Sequence, residues 1–322
     1  MKKQILLMTA AVLTITSCSK DESTEVNNGQ AIDFRVAMET RATETTTANI
    51  TNFLVTAINA GNSNFFTDQA FTKTGSYFTS NPAYYWPNDG SNLSFFAYSP
   101  SATDLGATIS ITSASKTMTN FSPAAAIAAS ATGSKANVST GVALTFAHRL
   151  AQIEIKAKNA NQGYVYKVQG VRIGQPVSQA TTFDFGTSAW TLGTTKSNYE
   201  VTYTSAKTLN ATAASIMATD GNNAMLIPQQ LTAWTPDSDK TNTKKGAYIA
   251  VKVNITTASG ARIYPDASVG EYGWVAVPVG TNWVAGQKYV YTLDFSNGAG
   301  RVDPEKPDPT DPDPFEPGEP IL

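Results

Sequence analysis

Short stretches in which apolar and polar side chains alternate recur along most of the chain, and the first lies at residues 31–38. Its apolar positions are Ile32, Phe34, Val36 and Met38, with Asp33, Arg35 and Ala37 between them. A period of two places alternate side chains on opposite faces of an extended strand. The pattern therefore predicts a half-buried β-strand whose four apolar residues face a core.

Further stretches with strand character follow, and turn residues such as Pro87-Asn-Asp-Gly90 separate several of them. No stretch shows a helical pattern of 10 to 15 residues, so we expect an all-β fold made of antiparallel β-sandwiches. The predicted strands are residues 50–58, 76–79, 84–86, 93–98, 108–111, 142–158, 164–173, 182–185, 188–192, 199–203, 224–227, 248–255, 273–277 and 289–295.

The composition changes at residues 122–141, which are nearly all small, and this segment fits either an alanine-rich helix or a loop. We place a domain boundary near its end. The predicted organisation is a signal peptide at 1–17, a flexible linker at 18–30, an N-terminal β-sandwich at 31–140, a C-terminal β-sandwich at 141–302 and a Pro/Asp-rich tail at 303–322. Alternating proline and acidic residues predict that the tail is an extended spacer.

The N-terminus has the pattern of an export signal. Lys2 and Lys3 precede a largely apolar stretch at residues 5–15, which is too short to cross a bilayer as a stable helix. The sequence Ile-Thr-Ser17-Cys18 that follows resembles the bacterial lipobox, which implies cleavage between Ser17 and Cys18 and a covalent lipid on Cys18. Cys18 is the only cysteine of the chain, so an internal disulfide is excluded. The alternative is an ordinary cleaved signal with a coincidental cysteine.

The charge balance argues against a polyanionic partner, because charged residues make up 15% of the 322 residues and the net charge is -2. We therefore expect no nucleic-acid binding. His148 is the only histidine, and no nucleophile motif accompanies it. We expect a buried histidine, no transition-metal site, no cofactor apart from the lipid and no enzymatic activity.

The five tryptophans allow two interpretations, because a large ring either fills a core or stacks on a sugar when it is exposed. Trp86 and Trp283 are predicted to be core residues, and Trp190 and Trp234 are the better candidates for ligand contact. On the second interpretation the protein would be an outer-membrane glycan-binding surface lipoprotein.

Several motifs in a fixed order resemble the fimbrillin family, the pilins and pilus-associated lipoproteins of type V pili. They are Tyr84-Tyr-Trp-Pro87, Leu93-Ser-Phe-Phe-Ala-Tyr-Ser-Pro100, Leu144-Thr-Phe-Ala-His-Arg-Leu-Ala-Gln-Ile153, Met225-Leu-Ile-Pro-Gln229, and Val277-Pro278 with Trp283-Val-Ala-Gly-Gln-Lys-Tyr-Val-Tyr-Thr-Leu293. The resemblance runs from the lipobox to about Pro304. It implies two transthyretin-like antiparallel β-sandwich domains in tandem, lipid anchoring at the outer membrane, and a structural or adhesive role in a cell-surface pilus (fimbrium).

The resemblance also gives a role to Thr40-Arg41-Ala42. In the pilins that this chain resembles, an arginine-specific protease cuts in this loop, which implies maturation between Arg41 and Ala42 and displacement of the strand at 31–38. Four buried apolar side chains would contribute roughly 6 to 12 kcal/mol before ordering costs. The vacated groove would accept a strand of another pilus subunit by donor-strand exchange. The alternative is a solvated loop arginine that is not processed.

A self-polymerising pilin should also offer a C-terminal donor strand of alternating apolar residues. This sequence stops at Gly318-Glu-Pro-Ile-Leu322, where such a strand would begin. Two expectations remain open: a truncated record, or a tip, anchor or accessory subunit that donates no strand. The sequence does not indicate which host or bacterial surface ligand would be bound.

Overall fold

The computed structural model describes residues 31–38, 50–99, 110–111, 117–119, 127–177, 180–217, 223–235, 246–268 and 270–298. These residues form β-strands and one short 3-10 helix, Lys135–Asn137, and no α-helix is present among them. The prediction of an all-β fold is confirmed. Within the described part of the chain, no helix is long and apolar enough to cross a membrane.

Seven strands from the first half of the chain close into a barrel in the order β1-β4-β3-β2-β5-β8-β9. The pairings are antiparallel except between β1 and β9, which run parallel. The strands are β1 (Phe34–Met38), β2 (Asn52–Asn59), β3 (Asn64–Thr74), β4 (Tyr77–Ser80), β5 (Leu93–Ser99), β8 (Ile127–Gly133) and β9 (Val142–His148).

The second half of the chain contributes two further sheets. One contains β10 (Ala151–Lys158), β15 (Ala214–Ser215), β16 (Ala224–Leu226) and β20 (Lys288–Asp294), and β20 runs parallel to β10. The other contains β11 (Tyr164–Gly174), β14 (Tyr199–Thr208), β17 (Tyr248–Thr257), β18 (Arg262–Tyr264) and β19 (Gly273–Pro278). Their inward side chains, such as Ile155, Val168 and Val253, form one continuous core.

A small fourth sheet joins the two halves of the chain. Its strands lie in the order β6 (Ser110–Ile111), β7 (Thr117–Thr119), β12 (Ala180–Asp184) and β13 (Ala189–Leu192), and the pairing of β7 with β12 joins the halves. Phe183 and Phe185 of this region share a buried cluster with Phe96 and Tyr98, which lie on β5 of the barrel. Because these side chains lie outside both main cores, they fix one half of the chain against the other.

Tyr98 is also held by the barrel itself. Its hydroxyl donates a 2.8 Å hydrogen bond to Asp68, whose carboxylate accepts another from Thr56 at 3.1 Å. Burial, together with the charge of Asp68, raises the pKa of Tyr98 well above its usual value. The hydroxyl therefore remains a donor across the physiological pH range.

The structure differs from the predicted elements in several places. Residues 127–133 of the alanine-rich segment form β8, so both the helix and the loop alternatives are wrong there. Residues 84–86 form no strand and make only a single bridge, between Ala31 and Tyr85. The boundary predicted near residue 140 precedes β9, which pairs with β8 and β1 and so closes the barrel. The division into two tandem domains stays a prediction.

Replacement of Gly174 by alanine tests the packing of β11 on β17. Gly174 pairs with Tyr248, and a Cβ at this glycine would overlap the Tyr248 ring, which is 1% exposed. We expect Gly174→Ala to lower the free energy of unfolding by about 1 to 3 kcal/mol, since a packed ring must be displaced. Urea denaturation measures this change.

The matched control is Gly61→Ala. Gly61 is exposed, and its nearest neighbour in that direction is the Asn59 Oδ1 atom at 3.4 Å. The control should change the free energy of unfolding by no more than about 0.5 kcal/mol. Equal effects of the two substitutions would contradict this account of the sheet.

Candidate functional site

The candidate site is the position that β1 occupies between β9 and β4. All five residues of β1 are in parallel register with β9, from Phe34 opposite Val142 to Met38 opposite Phe146. On the other side, only Phe34 is in register with β4, opposite Phe78. The first strand is therefore paired mainly along one edge.

The deepest contact of this strand is made by Phe34, which is fully buried. Its ring meets those of Phe71, Phe95 and Phe53 edge-on, at centroid distances of 4.7, 5.1 and 6.0 Å. Edge-to-face contacts at such distances add to the free energy gained by burying the ring. Phe34 thus completes the aromatic core of the barrel from the strand nearest the N-terminus.

The other three residues predicted to face the core also contact it, though unequally. Ile32 is fully buried, whereas Val36 and Met38 are half-buried. Ala37, on the opposite face, is exposed. The burial of β1 therefore decreases toward its C-terminal end, and its apolar contribution lies toward the lower end of the 6 to 12 kcal/mol range.

Main-chain contacts fix the N-terminal side of the strand. The Ile32 amide donates to the Tyr84 carbonyl at 2.7 Å, and the Val142 amide donates to the Asp33 carbonyl at 2.8 Å. Gly141 immediately precedes that second donor and has φ +65, the left-handed region that glycine adopts at little cost. This glycine turns the chain from the 3-10 helix into β9 and so places β9 beside β1.

The surroundings of β1 define what its removal would expose. On one side lies the edge of β9, with the buried inward side chains of Leu144 and Phe146, and on the other lies the edge of β4. The rings of Phe71 and Phe95 would form the floor. The result would be an apolar groove bordered by main-chain donors and acceptors, which suits an incoming extended strand.

The other residues predicted to act in processing lie outside the described residues. These are Ser17 and Cys18 of the lipobox, and Arg41 and Ala42 of the protease site. Residues 18–30 and the tail at 303–322 also lie outside them. Their roles stay predictions.

The tryptophan positions weaken the glycan-binding interpretation. Trp86 is 5% and Trp283 2% exposed, so both are core residues as expected. Trp234, a predicted ligand candidate, is only 2% exposed, because it packs against Tyr248. Trp190 is half-buried, packs against Phe183 with the two rings tilted at 56°, and donates from Nε1 to the Arg149 carbonyl at 2.6 Å. Trp234 therefore offers no free ring face of the kind that stacks on a sugar, and one side of Trp190 is occupied by Phe183.

His148 lies at the end of β9 and is 4% exposed. It faces Ile127 of β8 in the ladder. A buried histidine at the junction between β9 and β10 agrees with the structural role expected for it.

Comparisons with known proteins identify the family of this chain. The sequence profile of the fimbrillin-like family matches residues 40–306. The chain belongs to the fimbrillin-like family. The match with the fimbrillin-like family begins two residues after β1 ends.

Two relatives illustrate the range of similarity within this fimbrillin-like group. The fimbrium subunit Fim1C of Phocaeicola vulgatus is 32% identical over 118 residues, a stretch that spans 31% of this chain and 31% of that protein. A crystal structure of a fimbrial protein from Bacteroides vulgatus superposes with a TM-score of 0.53 at 16% identity, and covers 83% of this chain and 95% of that one. The second similarity shows the fold alone.

Replacement of Phe34 by alanine tests the position of β1. Removal of a fully buried ring should lower the free energy of unfolding of the uncleaved protein by about 3 to 5 kcal/mol. Ala37→Ser, on the exposed face of the same strand, should change it by about 0.5 kcal/mol or less. Urea denaturation followed by tryptophan fluorescence measures both, and a loss below about 1 kcal/mol for Phe34→Ala would contradict the packing described here.

Proposed function

We propose that this protein is a structural or adhesive subunit of a bacterial surface pilus, and that β1 is a removable strand that fills a subunit-accepting groove until proteolysis at Arg41. Family membership supports the pilus role. The observation that carries the strand-exchange step is the placement of Phe34, fully buried on a strand that is paired over five residues with β9 and at only one residue with β4.

Cleavage between Arg41 and Ala42 would leave β1 without a covalent link to the barrel. The strand would then be retained by its ladder to β9 and by two fully and two partly buried side chains. Such contacts are reversible on their own, because they contribute only a few kcal/mol after the ordering cost of a separate peptide. A longer strand, or one with better burial at its C-terminal end, would bind more tightly than β1.

The groove specifies the chemistry of its new occupant. The incoming strand needs a large apolar side chain at the Phe34 position and apolar residues two and four positions later. The positions between them are half-buried at Arg35 and exposed at Ala37, so they can accept polar side chains. The donor is therefore expected to be an alternating strand from another pilus subunit.

Lipidation at Cys18 and cleavage at Arg41 would act together. We propose that signal cleavage after Ser17 leaves Cys18 acylated at the outer membrane. Because Cys18 precedes β1 in the chain, a cut at Arg41 would open the groove and also separate the barrel from the lipid. The same cut would thus release a subunit from its lipid anchor and open its groove to a partner strand. The released subunit would then take a tip, accessory or repeating position in the fibre.

The test is limited digestion with an arginine-specific protease, followed by N-terminal sequencing. We expect the folded protein to be cut once near its start, giving a product that begins at Ala42. The fibre-associated protein should have the same N-terminus. Arg41→Ala should abolish both the cut and incorporation into fibres.

Arg35→Ala is the matched control, because Arg35 lies within β1 and is shielded by its ladder to β9. This variant should be processed as the native chain is. Fibres built from protein that still contains residues 31–41, or equal incorporation of Arg41→Ala, would overturn the proposal.

A further inference from the structure

The C-terminal strand β20 has one unpaired edge among the described residues. It pairs in parallel with β10 alone, from Lys288 opposite Gln152 to Asp294 opposite Lys158. The Gln152 amide donates to the Gln287 carbonyl, and the Phe295 amide donates to the Lys158 carbonyl, each at 2.9 Å. Main-chain groups alternate in direction along a strand. The N–H and C=O groups of odd-numbered residues in β20 therefore point toward β10, and those of even-numbered residues point away from it.

An apolar groove opens beside this free edge. It lies between the C-terminal end of β20 and β19, which pairs with β17 alone, and has a volume of about 190 Å³. Its lining includes Ile249, Val251, Val275, Val277, Leu293 and Phe295. Unpaired main-chain groups next to an apolar groove are a typical template for a further strand.

We propose that a second copy of this chain occupies this edge, with the two β20 strands antiparallel about a two-fold axis at Tyr291. Directly opposite residues of an antiparallel pair point to the same face of a sheet. Outward-pointing main-chain groups belong to even residues, so a ladder pairs Lys288 with Asp294 and Val290 with Thr292. Tyr291 then lies opposite itself.

Charge complementarity favours this register. Lys288 of one copy lies opposite Asp294 of the other, and the two-fold axis repeats the pair. Within each chain, Lys288 already lies 2.7 Å from Glu154, and Asp294 lies 2.9 Å from Lys158. A lysine on an edge strand usually hinders pairing, but here each lysine would meet an acidic residue rather than another lysine.

The two faces of the ladder are also compatible. On the outer face, Val290 is 48% exposed and would be covered by the β-branched Thr292. On the inner face, Tyr289 of one copy would lie opposite Leu293 of the other, at the mouth of the apolar groove. A ladder of one short strand buries less surface than a standard interface, so the dimer should be weak and reversible.

This contact differs from the proposed strand exchange, because it uses the C-terminal strand, leaves β1 in place and needs no cleavage. It can therefore fail or succeed independently of the pilus proposal.

Disulfide formation between two singly substituted proteins tests the register. All chains carry Cys18→Ser, so that the introduced cysteine is the only thiol. One protein carries Val290→Cys and the other Thr292→Cys. In the proposed register, residue 290 of one chain lies about 5.5 Å from residue 292 of the other at Cα, which is within disulfide range. Residue 290 lies about 8 to 9 Å from residue 290 of the other chain, and the same holds for residue 292.

Mild oxidation of the mixture should give at least about fivefold more covalent dimer than either protein alone. Dimer from Val290→Cys alone or from Thr292→Cys alone at the level of the mixture would contradict the register. No dimer in any sample at about 100 µM protein would overturn the proposal.

A proline substitution tests the edge without crosslinking. Thr292→Pro removes the main-chain N–H of residue 292, a donor that faces the free edge and not β10. An edge strand tolerates the loss of such a donor. Sedimentation equilibrium should show an association constant about tenfold lower than for the control Thr292→Val, with a similar melting temperature. Equal association of the two variants would overturn the proposal.

Discussion

The barrel depends on the packing of one aromatic ring that its N-terminal strand supplies. Phe34 meets Phe71 and Phe95 edge-on at 4.7 and 5.1 Å and is fully buried. The strand that carries it also closes the ring of seven strands, because it is the only described strand between β9 and β4. Core packing and closure of the barrel therefore rest on the same short segment. Loss of that segment would remove both at once, and any replacement would have to restore both.

The two strands nearest the ends of the described chain have related positions. β1 runs parallel to β9, and β20 runs parallel to β10. β9 and β10 are separated by only two residues, Arg149 and Leu150, so one stretch of chain carries both parallel partners. The difference lies on the far side: β1 is bordered by β4, whereas β20 has no described neighbour there. One half of the molecule thus has a filled groove and the other an open edge.

The sequence predicted those features that arise locally. Alternation alone located β1 and its inward face, because Ile32, Phe34, Val36 and Met38 do contact the core. It missed β3, where a bulge at Asp68, with φ 50, interrupts the alternation. It also missed β8, because alanine has a low strand propensity, yet Ala128 and Ala129 are 1% exposed between larger neighbours.

Local sequence patterns did not predict the pairing partners of β1. The parallel ladder to β9 joins segments about a hundred residues apart in the chain, and only the folded chain brings them together. The same holds for the burial of Trp234, a predicted ligand contact that packs on Tyr248. The strand patterns predicted the all-β class, but neither they nor the family motifs revealed that β1 is held mainly along one edge.

The proposed function requires that the groove around Phe34 can exchange its strand once the chain is cut. The most direct measurement adds a fluorescent peptide with the sequence of residues 31–38 to intact and to Arg41-cleaved protein and follows its uptake by anisotropy. We expect binding to the cleaved protein that displaces the native strand, no binding to the intact protein, and much weaker binding of a peptide with alanine at the Phe34 position. Cleaved protein that retains its own strand and takes up no peptide would contradict it.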